Sequence, residues 1–208
     1  RRALVSNMKL IMENWRGFLK EEKEAPQTFY HLSPFRFETF KQAEYPNWRK
    51  KETGFHFGTK DTVMSVADKL KKEGRVKPGD SVYLYSVNLN IQNPLHLEEN
   101  RLGSWAISDI IITMFEGPKG DGTALPIFSD KQIDDYYEDV VTTPSGENLK
   151  DMFMTPHEEE AKEFLSWFYS LGYDSIKYEN KFEAAGESIL VFNPNQIKIL
   201  NVEEFEVP

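Results

Sequence analysis

The chain has 208 residues, 39% of them hydrophobic and 28% charged, the proportions of one soluble globular domain or one domain with a small appendage. Fifteen Phe, nine Tyr and four Trp suffice for a sizeable core, which excludes disorder of the whole chain. A net charge of −9 disfavours a protein built mainly to grip nucleic-acid phosphates, and the absence of cysteine excludes disulfides, thiolate metal sites and cysteine nucleophiles.

Residues 1–7 read poorly as part of a fold, and Met8 reads as the natural start. Leu10, Ile11, Trp15, Phe18 and Leu19 recur at helical spacing and predict a helix over 8–22. Its apolar face is expected to pack on the domain, since Glu13, Glu21, Glu22 and Glu24 disfavour an anionic lipid surface. Residues 21–27 form a charged linker with Pro26, so the chain divides into 1–27, helix and linker, and 28–208, the main domain. Short strands are predicted at 28–32 and 54–58, on either side of an aromatic stretch holding Phe35, Phe37, Phe40, Tyr45 and Trp48. Val63, Val66, Ala67 and Leu70 predict a helix over 61–72, with Thr59 or Asp61 as its cap. After a Lys77-Pro78-Gly79-Asp80 turn, the alternation over 81–91 is the clearest strand in the chain.

The second half is less regular. A helix is expected over 105–115, a glycine-containing loop over 117–123, an acidic stretch over 130–138 and turns over 142–148. Ala161, Phe164, Leu165, Phe168 and Leu171 share one face of a helix over 156–171, which Gly172 ends. Strands follow at 175–178, 188–192 and 196–202. Short strands in separate groups, with a few helices, predict an α+β domain and not a parallel doubly wound sheet. No apolar run approaches the length needed to cross a membrane, and a chain without cysteine suits a reducing cytoplasm.

Three segments carry the chemistry: Phe29-Tyr30-His31-Leu32-Ser33, Gly54-Phe55-His56-Phe57-Gly58-Thr59, and 186–197, which runs from Gly186-Glu187-Ser188 to an Asn193-Pro194-Asn195-Gln196-Ile197 tail. In order and spacing they resemble the three motifs of the histidine-type ADP-ribosyltransferases, the group that includes diphtheria toxin and the poly(ADP-ribose) polymerases. Phe37 and Phe40, the His-Phe-Gly-Thr run and Gly172-Tyr173-Asp174 bring the chain nearest to the phage-associated branch. The resemblance spans roughly 29–200. It implies a split pair of antiparallel sheets with flanking helices, enclosing a cleft with His31 and Glu187 facing one another. It implies NAD as the substrate, and a cytoplasmic setting, the host's if the chain is phage-encoded.

Loss of nicotinamide from NAD passes through an oxocarbenium-like ribose, so a carboxylate bonded to the ribose 2′-hydroxyl orients the sugar and stabilises the developing charge. Glu187, opening a strand, matches that role. His31 matches the residue that holds the adenosine ribose, Ser33 the one that binds the nicotinamide amide, and the backbone of Leu32 would pair with the same amide. Gly54, His56, Phe57 and Thr59 complete the expected cofactor contacts. His56 departs from the family's usual Tyr, which stacks on nicotinamide; it is expected in the site as a third catalytic group with Phe57 as the ring-stacking substitute, the alternative being that one of this pair points into the core.

Other features read more plainly. His96 is expected on a surface turn, and His157, beside three Glu at a helix start, lacks the spacing of a metal-binding helix. The basic runs around Lys69 to Lys77 and at Arg49, Lys50 and Lys51 read as solvated faces, the second also placed to meet a pyrophosphate or a nucleic-acid target. With Ala185 two before Glu187, the arginine-specific motif is absent. The loop 179–186, with Lys181, Phe182 and Glu183, is expected to face the acceptor, a protein in the first instance and a nucleic acid in the second. A mono-ADP-ribosyltransferase is therefore expected. The alternatives are a degenerate NAD- or partner-binding module, an NAD glycohydrolase, and an RNA 2′-phosphotransferase served by Arg36, Arg49 or Arg101.

Overall fold

The computed structural model describes residues 27–41, 53–98, 105–117, 122–138, 158–180 and 186–207. Along the chain these form β1 (Thr28–Ser33), β2 (Phe55–Gly58), α1 (Lys60–Lys72), β3 (Ser81–Leu89), β4 (Pro94–Leu97), α2 (Ile107–Glu116), α3 (Asp130–Tyr137), α4 (Glu158–Ser170), β5 (Ser175–Asn180), β6 (Gly186–Val191) and β7 (Ile197–Glu206). The helix expected over 8–22, His157, Arg49 to Lys51, Arg101 and residues 181–185 lie outside the described residues.

The α+β class is as expected. The seven strands form one sheet in the order β4-β5-β6-β2-β1-β3-β7, antiparallel except for the parallel pair β4 and β5. The strands form one sheet where a split pair was expected, and its seam between β1 and β2 is sparsely laddered. Among the described residues β1 and β2 share one register pair, Tyr30↔Gly58, whereas β2 and β6 share four and β1 and β3 six. The halves β4-β5-β6-β2 and β1-β3-β7 are thus each well laddered and weakly stitched to one another.

Residues opposite one another across a ladder share a face, and faces alternate along each strand. One face carries the helices. Over its β1–β3 part, Val63 and Leu70 of α1 cluster with Leu32, Val82 and Leu84. Over its β4–β6 part, Ile110 and Met114 of α2, Tyr136 of α3, and Phe164 and Phe168 of α4 cluster with Leu95, Ile176, Tyr178 and Leu190. Each fully buried Leu, Ile or Phe here contributes about 1.5–3 kcal/mol. The opposite face is aromatic: Phe29, Phe57, Tyr85, Val87, Ile189 and Val191 pack with Phe40 and Phe37 from the segment after β1.

Two elements depart from the sequence reading. The acidic stretch 130–138 is α3, started by a reciprocal box in which Ser129 caps the Gln132 amide and the Gln132 side chain returns to the Ser129 N–H. The His96 turn is β4, a four-residue edge strand that Pro94 can open because its missing N–H faces no ladder requirement there. Its register is tied by Asp174, whose carboxylate accepts the N–H groups of Gln92 (2.6 Å) and Asn93 (3.3 Å), while Asn93 Nδ2 donates to the Gly172 carbonyl. The Gly-Tyr-Asp signature thus joins the entry of β4 to that of β5.

Gly54 opens β2 at φ +96°, and a Cβ there would lie 2.7 Å from the Val191 carbonyl oxygen. Gly54→Ala is accordingly expected to cost about 2 kcal/mol, a fall in Tm of about 4–8 °C for a domain of this size. Thermal unfolding checks this, and an unchanged Tm would refute the close approach.

Candidate active site

β1, β2 and β6 lie side by side, with β2 in the middle. The registers Tyr30↔Gly58 and Phe57↔Ile189 put His31, Ser33, Phe57, Ile189 and Glu187 on one face, the aromatic one. His31 and Glu187 are separated by two strand spacings and two residues along the strands, roughly 12 Å. The structure therefore brings His31 and Glu187 to a common face with Phe57 between them.

His31 stands in a ring of aromatics, with centroids at 5.3 Å to Phe40, 5.7 Å to Phe57, 6.2 Å to Tyr85 and 6.4 Å to Phe37. Its Nδ1 lies 2.9 Å from the carbonyl of His56. A carbonyl only accepts, so Nδ1 is the donor in this bond. Tyr85 fixes the surrounding wall: its oxygen accepts the Phe37 N–H at 2.6 Å, and its hydroxyl points at the carbonyls of Phe37 and Phe35. Burial raises the Tyr85 pKa from its ordinary value, so the hydroxyl keeps its proton as a donor.

The remaining expected contacts fall as follows. Ser33 is buried, and its Oγ accepts the Phe35 N–H at 3.0 Å, which leaves its hydroxyl hydrogen for another acceptor. Leu32 turns its side chain to the helix-bearing face, so only its backbone is offered to a ligand. Thr59 caps α1, accepting from the Thr62 N–H at 3.2 Å. Gly58 touches the sheet so closely that a Cβ would meet Ser188 Oγ at 3.3 Å.

His56 is not brought to this face. It pairs with Leu190, and its Nδ1 lies 2.9 Å from the Tyr178 hydroxyl, beside Trp105 on the helix-bearing side. Consecutive strand residues point oppositely, so His56 and Phe57 cannot both face His31. Phe57 has that position, and His56 stands on the opposite face of β2.

At the other end of the site, Glu187 Oε2 lies 2.5 Å from Lys177 Nζ, and about a third of each side chain is exposed. A partly solvated pair of this kind is worth about 1 kcal/mol or less, so it can be exchanged for contacts to a ligand. Glu179 sits directly opposite Glu187 in the β5–β6 ladder, and His96 opposite Lys177 in the β4–β5 ladder. These four residues, with Leu97, Tyr178 and Gly186, line a groove of about 320 Å³. Lys177 carries no expectation from the sequence, and Glu179, read there as the start of an acceptor-facing loop, lies in β5. Their signal is the hairpin register that places both beside Glu187.

The family described as "ADP-Ribosyltransferase in polyvalent proteins" matches residues 21–206. The chain belongs to that family. The match takes in every described strand and helix of this ADP-ribosyltransferase domain, and with them all three motifs. No curated protein and no solved structure matches the chain. Among the described residues no helix is long and apolar enough to cross a membrane.

Proposed function

We propose that the chain cleaves the nicotinamide–ribose bond of NAD and transfers one ADP-ribosyl unit to a protein acceptor in the cytoplasm. The observation that carries this reading is the placement of His31 and Glu187 on one sheet face, with an aromatic wall between them. Glu187 accepts the 2′-hydroxyl of the nicotinamide ribose and stabilises the positive charge that grows on the sugar as nicotinamide leaves. The exchange from Lys177 to that hydroxyl replaces one polar contact by another. His31 accepts a hydroxyl of the adenosine ribose through Nε2, fixing the far half of the dinucleotide. Ser33 and the Leu32 backbone bond the nicotinamide amide, and Phe57 presents its ring to the base. Gly54 and Thr59 act through the backbone turn and the helix cap, not through the ligand.

Incubation with NAD labelled in the adenosine half, together with a cell lysate, separates the outcomes. Label on protein with nicotinamide released supports transfer. Free ADP-ribose alone identifies a glycohydrolase, label on nucleic acid a different acceptor class, and no nicotinamide at all a binding module. The His31 assignment adds a preference: NAD should bind about tenfold more tightly than NADP, the worth of one hydrogen bond to a hydroxyl that NADP replaces by phosphate. Equal affinities by calorimetry would remove His31 from the adenosine ribose.

A further inference from the structure

The aromatic site and the groove lie on the same face but on opposite sides of Glu187. His31, Ser33 and Phe57 lie toward β1, and His96, Lys177 and Glu179 lie toward β4, the edge strand of the sheet. If the donor sugar sits at Glu187 with its dinucleotide running toward His31, the open side of its anomeric carbon is the groove. Three observations describe what that groove takes. It already seats a cationic nitrogen against Glu187, since Lys177 Nζ is 2.5 Å from Oε2. A second carboxylate, Glu179, is directly opposite on the neighbouring strand and exposed. The volume of about 320 Å³ admits a side chain, and His96 at its rim is exposed at a sheet edge that another protein can reach.

We propose that this groove is the acceptor subsite, that it takes a basic side chain of a partner protein, and that Glu179 receives the acceptor's proton. The proposal rests on the NAD-cleaving reading above. Lys177 stands where the acceptor's cation arrives and gives way to it. As the nitrogen loses its proton to the Glu179 carboxylate, it forms a bond to C1′. The bond from C1′ to nicotinamide breaks, with its electron pair going to the leaving ring. Glu179 on β5 stands directly across the ladder from Glu187 and places a second carboxylate beside it.

The test uses the full chain with labelled NAD and four acceptors offered separately: poly-lysine, poly-arginine, poly-glutamate and single-stranded RNA. Label should pass to one or both basic polymers and not to the other two. The two basic arms distinguish an amine from a guanidine. The ratio of ADP-ribose transferred to nicotinamide released should fall by about tenfold or more in Glu179→Gln, toward the 10²-fold loss usual for a positioned proton acceptor. Glu179→Asp should recover part of it. Labelling of RNA or poly-glutamate in preference would overturn the proposal, as would an unchanged ratio in Glu179→Gln. Nicotinamide release without label on any polymer refutes the acceptor subsite alone. Absence of nicotinamide release from the unaltered chain refutes the NAD-cleaving reading and the subsite with it.

Discussion

Glu187→Gln is expected to lower nicotinamide release by about 10²–10³-fold, the loss seen when one preorganised electrostatic contact is removed from a site. The substitution keeps shape and hydrogen-bonding reach: the amide oxygen can still accept from Lys177 and from a ribose hydroxyl. What disappears is the negative charge, and that charge matters only when the sugar becomes cationic. NAD affinity should therefore stay near that of the unaltered chain, with the loss appearing in kcat, as for an interaction made in the transition state alone. Stability should change little as well, because Glu187 is partly exposed and its ion pair with Lys177 is partly screened. Full activity in Glu187→Gln would end the mechanism whatever the fold. A loss of NAD binding equal to the loss of rate would recast Glu187 as a ground-state contact.

How far the sequence foretells these results differs from one residue to the next. β1, β2 and β6 were legible because each is a short apolar run with a bounding glycine or proline, and their order matched a known pattern. The side to which each residue points was not legible at β2. A strand of four residues, Phe55–Gly58, alternates equally well in either sense, and both His56 and Phe57 are rings. Only the register against β6, Phe57↔Ile189 and His56↔Leu190, decides that Phe57 joins His31 and Glu187. The same limit hid Lys177 and Glu179. Each stands within ten residues of Glu187 in sequence, but their adjacency depends on the register that pairs Tyr178 with Ser188. For α3 the signal was present and outweighed. Ser129 and Gln132 spell a capping box, and Lys131 with Asp135 an i,i+4 pair, within a stretch whose acidity reads as loop. For β4 the signal was misleading, since Asn93-Pro94 reads as a turn and four residues are too few to show a period.

His31→Ala tests the other half of the site and should differ in kind from Glu187→Gln. His31 is expected to hold the adenosine ribose in substrate and transition state alike, so its loss should raise KM for NAD and lower kcat/KM by about 10- to 100-fold, the worth of one to two hydrogen bonds to a bound ligand. The alanine also removes a ring from among Phe37, Phe40, Phe57 and Tyr85 and takes the donor from the His56 carbonyl. That cavity and unsatisfied acceptor are expected to cost about 2–4 kcal/mol of stability, so a drop in activity alone would not separate binding from folding. His31→Gln makes the separation. Its amide N–H can still donate to the His56 carbonyl and its carbonyl oxygen can still accept, but a flexible amide lacks the ring that the aromatic wall holds in place. The glutamine variant should therefore melt closer to the unaltered chain than the alanine variant and recover part of the NAD affinity, read by calorimetry at a temperature where both are folded. If both variants bind NAD as tightly as the unaltered chain while folded, His31 belongs to the packing of this face and not to the cofactor.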